Sequence, residues 1–206
     1  MWQVKGDIVL LTYEKDDAHI ETTYVFIEMP ITRMYWYNNL GGKMMEKALV
    51  IIDIQNDMTK NYKEIIDNIN RSVDWAVENH IHVVYIRHFN LSAGTRTFKP
   101  DTHGSELATD LKVVSNNVFT KSKGNVLTSE GFVDFINEHD IHEFYIVGGD
   151  AIACVKSSTY NLAKAQYQVH VLSDCITSYD KKKIAEMLQY YKDKGCHVMS
   201  LDDLLA

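Results

Sequence analysis

Short apolar runs alternate with longer amphipathic runs along the chain from residue 47 onward. This alternation is typical of repeated βα units, in which the strands form a parallel sheet that helices cover on both faces. The apolar runs predict six strands, at residues 48–53, 82–87, 117–120, 143–147, 168–172 and 196–199. The amphipathic runs predict helices at residues 62–79, 128–139, 155–165 and 181–193. The sequence therefore predicts a three-layer, doubly wound α/β domain with six mainly parallel strands.

The first 44 residues do not follow this alternation. Residues 8–13 and 22–28 have the composition of two strands, and the polar residues between them are typical of a turn. Two interpretations stay open for residues 1–44. They form a hairpin added to the domain at residues 45–206, or they are not native and arise from translation upstream of the natural start.

Composition and charge narrow the class of protein. Hydrophobic residues make up 46% of the 206 residues and charged residues 24%, the balance of an ordinary soluble globular protein. The formal net charge is −7, and the 21 lysines and arginines form no basic stripe that would bind a nucleic acid backbone. No apolar stretch is long enough to span a bilayer. We therefore expect neither nucleic acid nor a membrane as a partner.

The cysteine pattern indicates a reducing compartment. Cys154, Cys175 and Cys196 are an odd number with no C-x-x-C spacing, and the sequence shows no signal peptide. Structural disulfides and a cysteine-based zinc site are therefore not expected. We expect a cytoplasmic protein.

Three residues with chemical potential stand where apolar, β-rich runs end. They are Asp53, Lys121 and Cys154. In a doubly wound sheet the carboxyl ends of the strands line one crevice, so residues distant in sequence meet there. A carboxylate, an ammonium and a thiol in one crevice would supply a base, a cation and a nucleophile.

Each of these residues also has an ordinary structural interpretation. Asp53 is typical of a carboxylate that braces a loop, Lys121 of a solvated surface lysine, and Cys154 of a small buried apolar residue. Cys154 follows a glycine-rich turn and precedes a predicted helix, so we expect the helix dipole to lower the pKa of its thiol. Free backbone N–H groups at this turn would hold a developing oxyanion.

The order and context of the three residues resemble a known superfamily. The segments are ALVIIDIQNDM with Asp53, VFTKSKGNVL with Lys121, and VGGDAIACVKSSTYNLAKAQYQVHVLSDC with Cys154. From about residue 48 onward the chain resembles the isochorismatase-like cysteine hydrolases, which include nicotinamidases and N-carbamoylsarcosine amidases. The resemblance implies a Rossmann-like fold in which these residues are the catalytic aspartate, lysine and cysteine.

The resemblance also implies an activity and further site residues. Cys154 would attack the carbonyl carbon of a small amide or carbamoyl compound, and a C–N bond would break through a covalent acyl-enzyme. The oxyanion hole would be the backbone N–H groups of Asp150 and Cys154, beside a cis peptide between Gly149 and Asp150. A homo-oligomer, dimer or tetramer, is expected. The predicted substrate pocket is formed by Met58, His88, Phe89 and Asn125.

Metal ligands of the nicotinamidase type are missing from the sequence. Nicotinamidases show an Asp-x-His and a later histidine after the second strand, and this chain has His88-Phe89-Asn90 there. His103 is the other histidine of the long loop at residues 89–106, and a lone loop histidine is more typical of a solvent-facing residue than of a ligand. We therefore expect no metal and no cofactor.

Two alternatives to an amide hydrolase stay open, and two departures from the family pattern motivate the second of them. Ala151 stands where a threonine or serine is common, and Asp150 replaces a small apolar residue. One alternative is a vinyl-ether hydrolase of the isochorismatase type, although such enzymes generally do not rely on a cysteine and this chain has Cys154. The other is a catalytically weak member of the same fold that serves as a binding or interaction protein.

The start of the native protein is the first testable prediction. Residues 41–45 read GGKMM, and adjacent glycine codons can spell a purine-rich ribosome-binding site just upstream of a methionine codon. We expect the natural chain to begin at Met44 or Met45. The intact mass of protein produced from the chromosomal gene would show this start, whereas a mass that includes Met1 would contradict it.

Overall fold

The computed structural model describes three short strands near the N-terminus, residues 45–59 and residues 63–206. It divides into two units, Met1–Met44 and Met45–Ala206. The first unit contains strands β1 (Trp2–Lys5), β2 (Ile8–Tyr13) and β3 (Thr22–Ile27), which pair antiparallel in the order β1-β2-β3. Strands β2 and β3 occupy the two predicted strand segments. The predicted turn between them lies outside the described residues, and the origin of this unit stays a prediction.

The second unit contains a sheet of six strands. They are β4 (Glu46–Ile52), β5 (His82–His88), β6 (Val118–Lys121), β7 (Ile141–Gly148), β8 (Gln168–Ile176) and β9 (His197–Met199). All neighbouring pairs are parallel, and the order is β6-β5-β4-β7-β8-β9. The predicted doubly wound, Rossmann-like sheet is therefore confirmed, and each predicted strand overlaps an observed one.

Helices connect these strands. They are α1 (Asn56–Thr59), α2 (Ile66–Glu78), α3 (Glu130–His139), α4 (Cys154–Lys164), α5 (Ile184–Asp193) and α6 (Leu201–Leu205). Short 3₁₀ helices lie at Lys63–Ile65, His103–Ser105, Val126–Thr128 and Lys181–Lys183. The first of these precedes α2, so the helix predicted from residue 62 begins later than expected. Among the described residues, no helix has the length and apolar character that a membrane crossing requires.

The sheet is buried on both faces, which explains the continuous apolar run of β4. On one face, Ala48, Val50 and Ile52 pack with residues of α3, α4 and α5. On the other face, Leu49 and Ile51 pack with residues of α2 and α6. Because neither face of the strand meets solvent, the sequence of β4 does not alternate between apolar and polar residues.

The strand order reverses between β4 and β7, and this switch point is the place where such sheets bind ligands. Gly148 ends β7 with a φ of 115°, and a Cβ atom there would lie 2.2 Å from the carbonyl oxygen of Ile52. The next residue, Gly149, donates its backbone N–H to the same oxygen at 3.0 Å. The close approach of the two strand ends therefore requires a glycine at position 148.

This requirement is testable by replacing Gly148 with alanine. The Cβ atom would collide with backbone, so we expect the free energy of unfolding to fall by about 3 kcal/mol. Gly94→Ala is the matched control, because Gly94 also has a positive φ but a Cβ atom there would meet no other atom within 4 Å. Its cost should be limited to about 1 kcal/mol of backbone strain. Urea denaturation of both variants measures the difference, and equal losses would contradict the close-approach argument.

Candidate active site

Asp53 follows β4 at the switch point in an unusual backbone conformation. Its φ is 56°, in the left-handed region that non-glycine residues seldom adopt at a cost of about 1–3 kcal/mol. The conformation is held by two backbone hydrogen bonds, from Asp53 N–H to Ile86 O and from Gln55 N–H to Asp53 O, both 2.9 Å. The turn leaves the carboxylate buried at the carboxyl edge of the sheet.

The partner of this carboxylate is Lys121, the last residue of β6. Its Nζ atom lies 2.8 Å from Asp53 Oδ2, and the two side chains are 0% and 4% exposed. The ammonium group reaches across the end of β5, where His88 is in register with Lys121. His88 Nδ1 lies 3.4 Å from Lys121 Nζ. Lys121 is therefore a buried cation. It is not the solvated surface lysine that its position at the end of a strand would also fit.

Cys154 completes the cluster from the other side of the switch point. It is the first residue of α4 and is partly exposed. Its Sγ atom, a carboxylate oxygen of Asp53 and a ring nitrogen of His88 all lie within 4.8 Å of one another. The three residues that the sequence singled out thus meet in one place, with His88 beside them. We call this group the Asp53–Lys121–Cys154 cluster.

The loop after Lys121 is fixed to the helix that begins with Cys154. Ser158 of α4 is fully buried, and its hydroxyl group donates to Gly124 O and accepts from Val126 N–H, both at 3.2 Å. A Cβ atom at Gly124 would lie 3.3 Å from Ser157 Cβ. These contacts hold the ammonium-bearing strand and the thiol-bearing helix at a constant separation.

The thiol of Cys154 differs from the sequence expectation. Burial, the largest cause, and the carboxylate of Asp53 together raise its pKa to about 12, although Lys121 acts in the opposite direction. The expected lowering by the helix N-terminus is therefore wrong for the resting site, because desolvation and the neighbouring negative charge outweigh it. The thiol therefore keeps its proton near neutral pH.

The surroundings of His88 favour its neutral form. Burial lowers its pKa, and the ammonium of Lys121 lowers it further, although Asp53 acts in the opposite direction. Protonated His88 would place a second positive charge next to Lys121.

The turn before Cys154 leaves two backbone N–H groups without an acceptor. Its peptide bond between Gly149 and Asp150 is cis. In residues 149–155, five N–H groups donate to acceptors: those of Gly149, Ala151, Ile152, Ala153 and Val155. In the part of the chain that the structure describes, the N–H groups of Asp150 and Cys154 have no acceptor. These are the two groups predicted to hold an oxyanion.

The two residues that depart from the family pattern are engaged in packing. The Asp150 carboxylate accepts the backbone N–H groups of Ile152 and Tyr179, both at 2.9 Å. Ala151 is buried, donates to Thr177 O, and accepts at its carbonyl from the Tyr191 hydroxyl group. Asp150 therefore braces the turn against the loop after β8, and its charge is not directed at the oxyanion position.

The predicted pocket residues differ in what they contact. Met58 is buried, and its methyl group lies over Gly149, where a Cβ atom would approach it to 2.1 Å. Phe89 lies under the guanidinium group of Arg87, at 4.9 Å from the ring centroid. Asn125 uses its side-chain oxygen to cap a 3₁₀ helix by accepting from Leu127 N–H at 3.0 Å. That oxygen is therefore already engaged, and a role in the pocket stays a prediction.

Sequence reasoning did not single out Gln55, which positions His88. Gln55 is fully buried, and its side-chain oxygen accepts from His88 N–H at 2.7 Å. Its amide nitrogen donates to His88 O at 3.1 Å and to Ser105 O at 2.8 Å. The available signal was a second polar residue, two positions after Asp53, at the end of a buried strand. Gln55 fixes the end of β5 and the 3₁₀ helix of the long loop in one arrangement.

The residues after β5 do not fit a metal site of the nicotinamidase type. The Asn90 amide donates to Thr95 Oγ1 at 2.9 Å, and its oxygen accepts from Ser92 N–H at 3.1 Å. His103 has a side chain that is 74% exposed and pairs with Glu106 at 3.0 Å. Neither residue is directed with His88 toward a common ion.

This fold and this cluster define an α/β protein of the isochorismatase-like class. Residues 47–203 match the family model described as the isochorismatase domain, which is more than half of the chain, so the chain belongs to the isochorismatase family. Isochorismatase family protein 2A of Dictyostelium discoideum is 25% identical over 171 residues, covering 80% of this chain and 84% of that protein.

Solved structures share the same fold. An isochorismatase-like hydrolase from Alkaliphilus metalliredigens superposes with a TM-score of 0.69 at 19% identity, covering 77% of this chain and 96% of that one. Nicotinamidase from Bacillus subtilis gives 0.68 at 19% identity, covering 76% and 100%. Pyrazinamidase of Pyrococcus horikoshii in complex with zinc gives 0.67 at 19% identity, covering 75% and 99%.

The raised pKa of Cys154 gives a testable prediction about its reactivity. Alkylation of Cys154 by iodoacetamide should accelerate from about pH 6 to about pH 9 without a plateau, because the thiolate fraction grows about tenfold per pH unit below the pKa. Asp53→Asn removes the negative charge that raises this pKa, so alkylation should be faster at each pH. Mass spectrometry of the labelled peptide measures both rates.

The matched control for this experiment is Asp134→Asn, which removes a carboxylate from an exposed position of α3 and should leave the rate unchanged. A plateau reached near neutral pH in the unmodified protein would show a thiolate in the resting site. Slower alkylation of the Asp53→Asn variant would likewise contradict the electrostatic argument.

Proposed function

We propose that the protein is a cysteine-dependent hydrolase that cleaves a C–N bond of a small amide or carbamoyl compound through a covalent acyl-enzyme. The observation that carries the proposal is the buried Lys121–Asp53 ion pair of 2.8 Å beside the Cys154 thiol. Structural neighbours that are a nicotinamidase and a pyrazinamidase support amide hydrolysis as the reaction class.

The first step couples proton transfer to nucleophilic attack. Asp53 takes the thiol proton of Cys154 while the sulfur forms a bond to the substrate carbonyl carbon. Because the resting thiol is protonated, a base within reach of Sγ is required. Asp53 satisfies this requirement, and its Oδ1 atom has no hydrogen-bond partner among the described residues, so it is available to accept the proton.

The second step stabilises the negative charge on the former carbonyl oxygen. The unpaired N–H groups of Asp150 and Cys154 would donate to this oxyanion. Donors that are already oriented need no reorganisation when the charge develops, and removal of one such donor typically lowers the turnover number by about 100- to 1000-fold in other enzymes. These are backbone groups, so the shape of the turn, not a side chain, provides them.

The intermediate then collapses and the acyl-enzyme is hydrolysed. Protonated Asp53 gives its proton to the leaving nitrogen as the C–N bond breaks, and ammonia or an amine departs. Water then attacks the thioester, and Asp53 takes a proton from that water. The thiol leaves with this proton, which restores the resting site. The reaction consumes one water and needs no other reactant.

Lys121 acts on this sequence through charge. Its ammonium group stabilises the ionised form of Asp53 before each proton transfer and stabilises the negative charge of the tetrahedral intermediate. A charged lysine with no exposed side-chain surface is tolerated only if a neighbouring charge compensates its desolvation. Asp53 is that neighbour, so the two residues act as one unit.

The proposal also covers the cellular compartment and the oligomeric state of the protein. Cys154, Cys175 and Cys196 are all free, which fits a reducing compartment, and we place the protein in the cytoplasm. By resemblance to the family we expect a homo-oligomer, a dimer or tetramer. The substrate itself is set by the long loop at residues 89–106 and by the pocket residues.

The activity is testable by measuring ammonia release from a panel of small amides, ureas and lactams that includes nicotinamide and pyrazinamide. We expect turnover of at least one panel member. Cys154→Ala and Asp53→Asn should each lower it by more than about a thousandfold, since a nucleophile or its base cannot be bypassed. Lys121→Met should lower it by at least about a hundredfold. Cys196→Ala is the matched control and should retain turnover.

A second measurement separates a hydrolase from a binding protein of the same fold. Rapid quenching during turnover should reveal a mass increase on Cys154 equal to the acyl group of the substrate. Ammonia release that persists in the Cys154→Ala variant would favour chemistry without a cysteine nucleophile. A panel with neither turnover nor adduct would favour the binding-protein alternative.

A further inference from the structure

The side chains that the proposed hydrolysis uses are also a set of metal ligands. Cys154 Sγ, a ring nitrogen of His88 and a carboxylate oxygen of Asp53 lie within 4.8 Å of one another. Sulfur, imidazole and carboxylate are the three ligand types that zinc prefers, and three protein ligands with one open position are typical of an accessible zinc site. Cys154 is partly exposed.

The oxygen of Asp53 that accepts the thiol proton in the proposed mechanism could instead bind an ion. Asp53 Oδ1 is buried and has no hydrogen-bond partner among the described residues, although the side chain of Asp53 is only 4% exposed. Buried carboxylate oxygens without a partner are rare, and each indicates a missing interaction. The other oxygen, Oδ2, is occupied by Lys121 at 2.8 Å. Asp53 can therefore keep its hydrogen bond to Lys121 through Oδ2 and still offer Oδ1 to an ion.

We propose that Cys154, His88 and Asp53 form an inhibitory zinc site. When Zn²⁺ binds, a Zn–S bond forms, the S–H bond of Cys154 breaks, and the proton passes to solvent. Zinc then occupies the nucleophile and the base together, so metal binding and catalysis exclude each other. The ion is an inhibitor and not a cofactor, and this ligand set shares only His88 with the segment where nicotinamidases carry their metal.

Lys121 sets the affinity of this site. Its ammonium group lies 2.8 Å from Asp53 Oδ2 and 3.4 Å from His88 Nδ1, so a divalent cation bound to these residues is close to a positive charge. Repulsion between the two cations weakens binding in this low-dielectric environment. The structure therefore gives an unusual expectation: removal of Lys121 abolishes catalysis but strengthens zinc binding.

The test uses Co²⁺ and Zn²⁺ chlorides with the full-length protein and no substrate. Co²⁺ bound to a thiolate gives an ultraviolet charge-transfer band, which reports directly on the sulfur of Cys154. Zn²⁺ should displace Co²⁺ and remove the band. Isothermal titration in two buffers of different ionisation enthalpy should show net proton release, because the thiol proton leaves.

Variants assign the ligands. Cys154→Ala should abolish the band, and His88→Ala should weaken Co²⁺ binding by more than about tenfold. Lys121→Met should strengthen it by more than about tenfold, whereas Lys121→Arg keeps the charge and should not. Cys196→Ala and His103→Ala, which remove a thiol and an imidazole elsewhere, should match the unmodified protein. His88→Asn provides a second variant at that position, and circular dichroism verifies that each variant is folded.

The proposal is overturned if the band persists in Cys154→Ala, if both His88 variants bind Co²⁺ as tightly as the unmodified protein, or if millimolar Co²⁺ gives no band. Weaker binding by Lys121→Met would also contradict it. Because no substrate is used, these outcomes do not depend on the hydrolase proposal. A protein that binds zinc here but hydrolyses nothing supports this inference alone, and an active hydrolase that ignores zinc contradicts this inference alone.

Discussion

The buried ion pair between Lys121 and Asp53 is the interaction on which the rest of this site depends. Moving two charges out of water carries a penalty of several kcal/mol per ion, and a buried salt bridge seldom offsets it with added stability. The chain nevertheless builds the pair with residues from two non-adjacent strands and a left-handed turn at Asp53. Such an arrangement is better explained by the chemistry that it supports than by the stability of the fold.

The pair also affects the protonation of the neighbouring Cys154 and His88. One cation and one anion cancel, so any further charge in the buried cluster is opposed. Burial is the largest cause that raises the pKa of the Cys154 thiol and lowers the pKa of His88, and Asp53 and Lys121 respectively add to these shifts. Transfer of the thiol proton to Asp53 moves charge within the cluster without changing its total. The proposed reaction therefore starts from a proton transfer that leaves the total charge of the buried cluster unchanged.

The sequence predicted the sheet and the meeting of Asp53, Lys121 and Cys154, because both follow from local pattern. A strand buried on both faces is a continuous apolar run, and in a parallel sheet its carboxyl end faces the ligand crevice. Properties that depend on neighbours distant in sequence could not be predicted from local pattern. The raised pKa of Cys154 and the engagement of the Asp150 carboxylate by Tyr179 N–H both depend on such neighbours.

The same constraint decides how the site treats a metal ion. A good nucleophile, its base and a neutral imidazole are also good metal ligands, so a cysteine hydrolase needs some means to keep its site free. Exclusion by shape would also exclude the substrate. Repulsion by charge does not exclude the substrate. An ammonium group repels a divalent cation but not a neutral amide. In the two proposals, one charge on Lys121 would therefore serve two purposes: it would stabilise ionised Asp53 for proton transfer and would weaken the binding of cations to the same ligands.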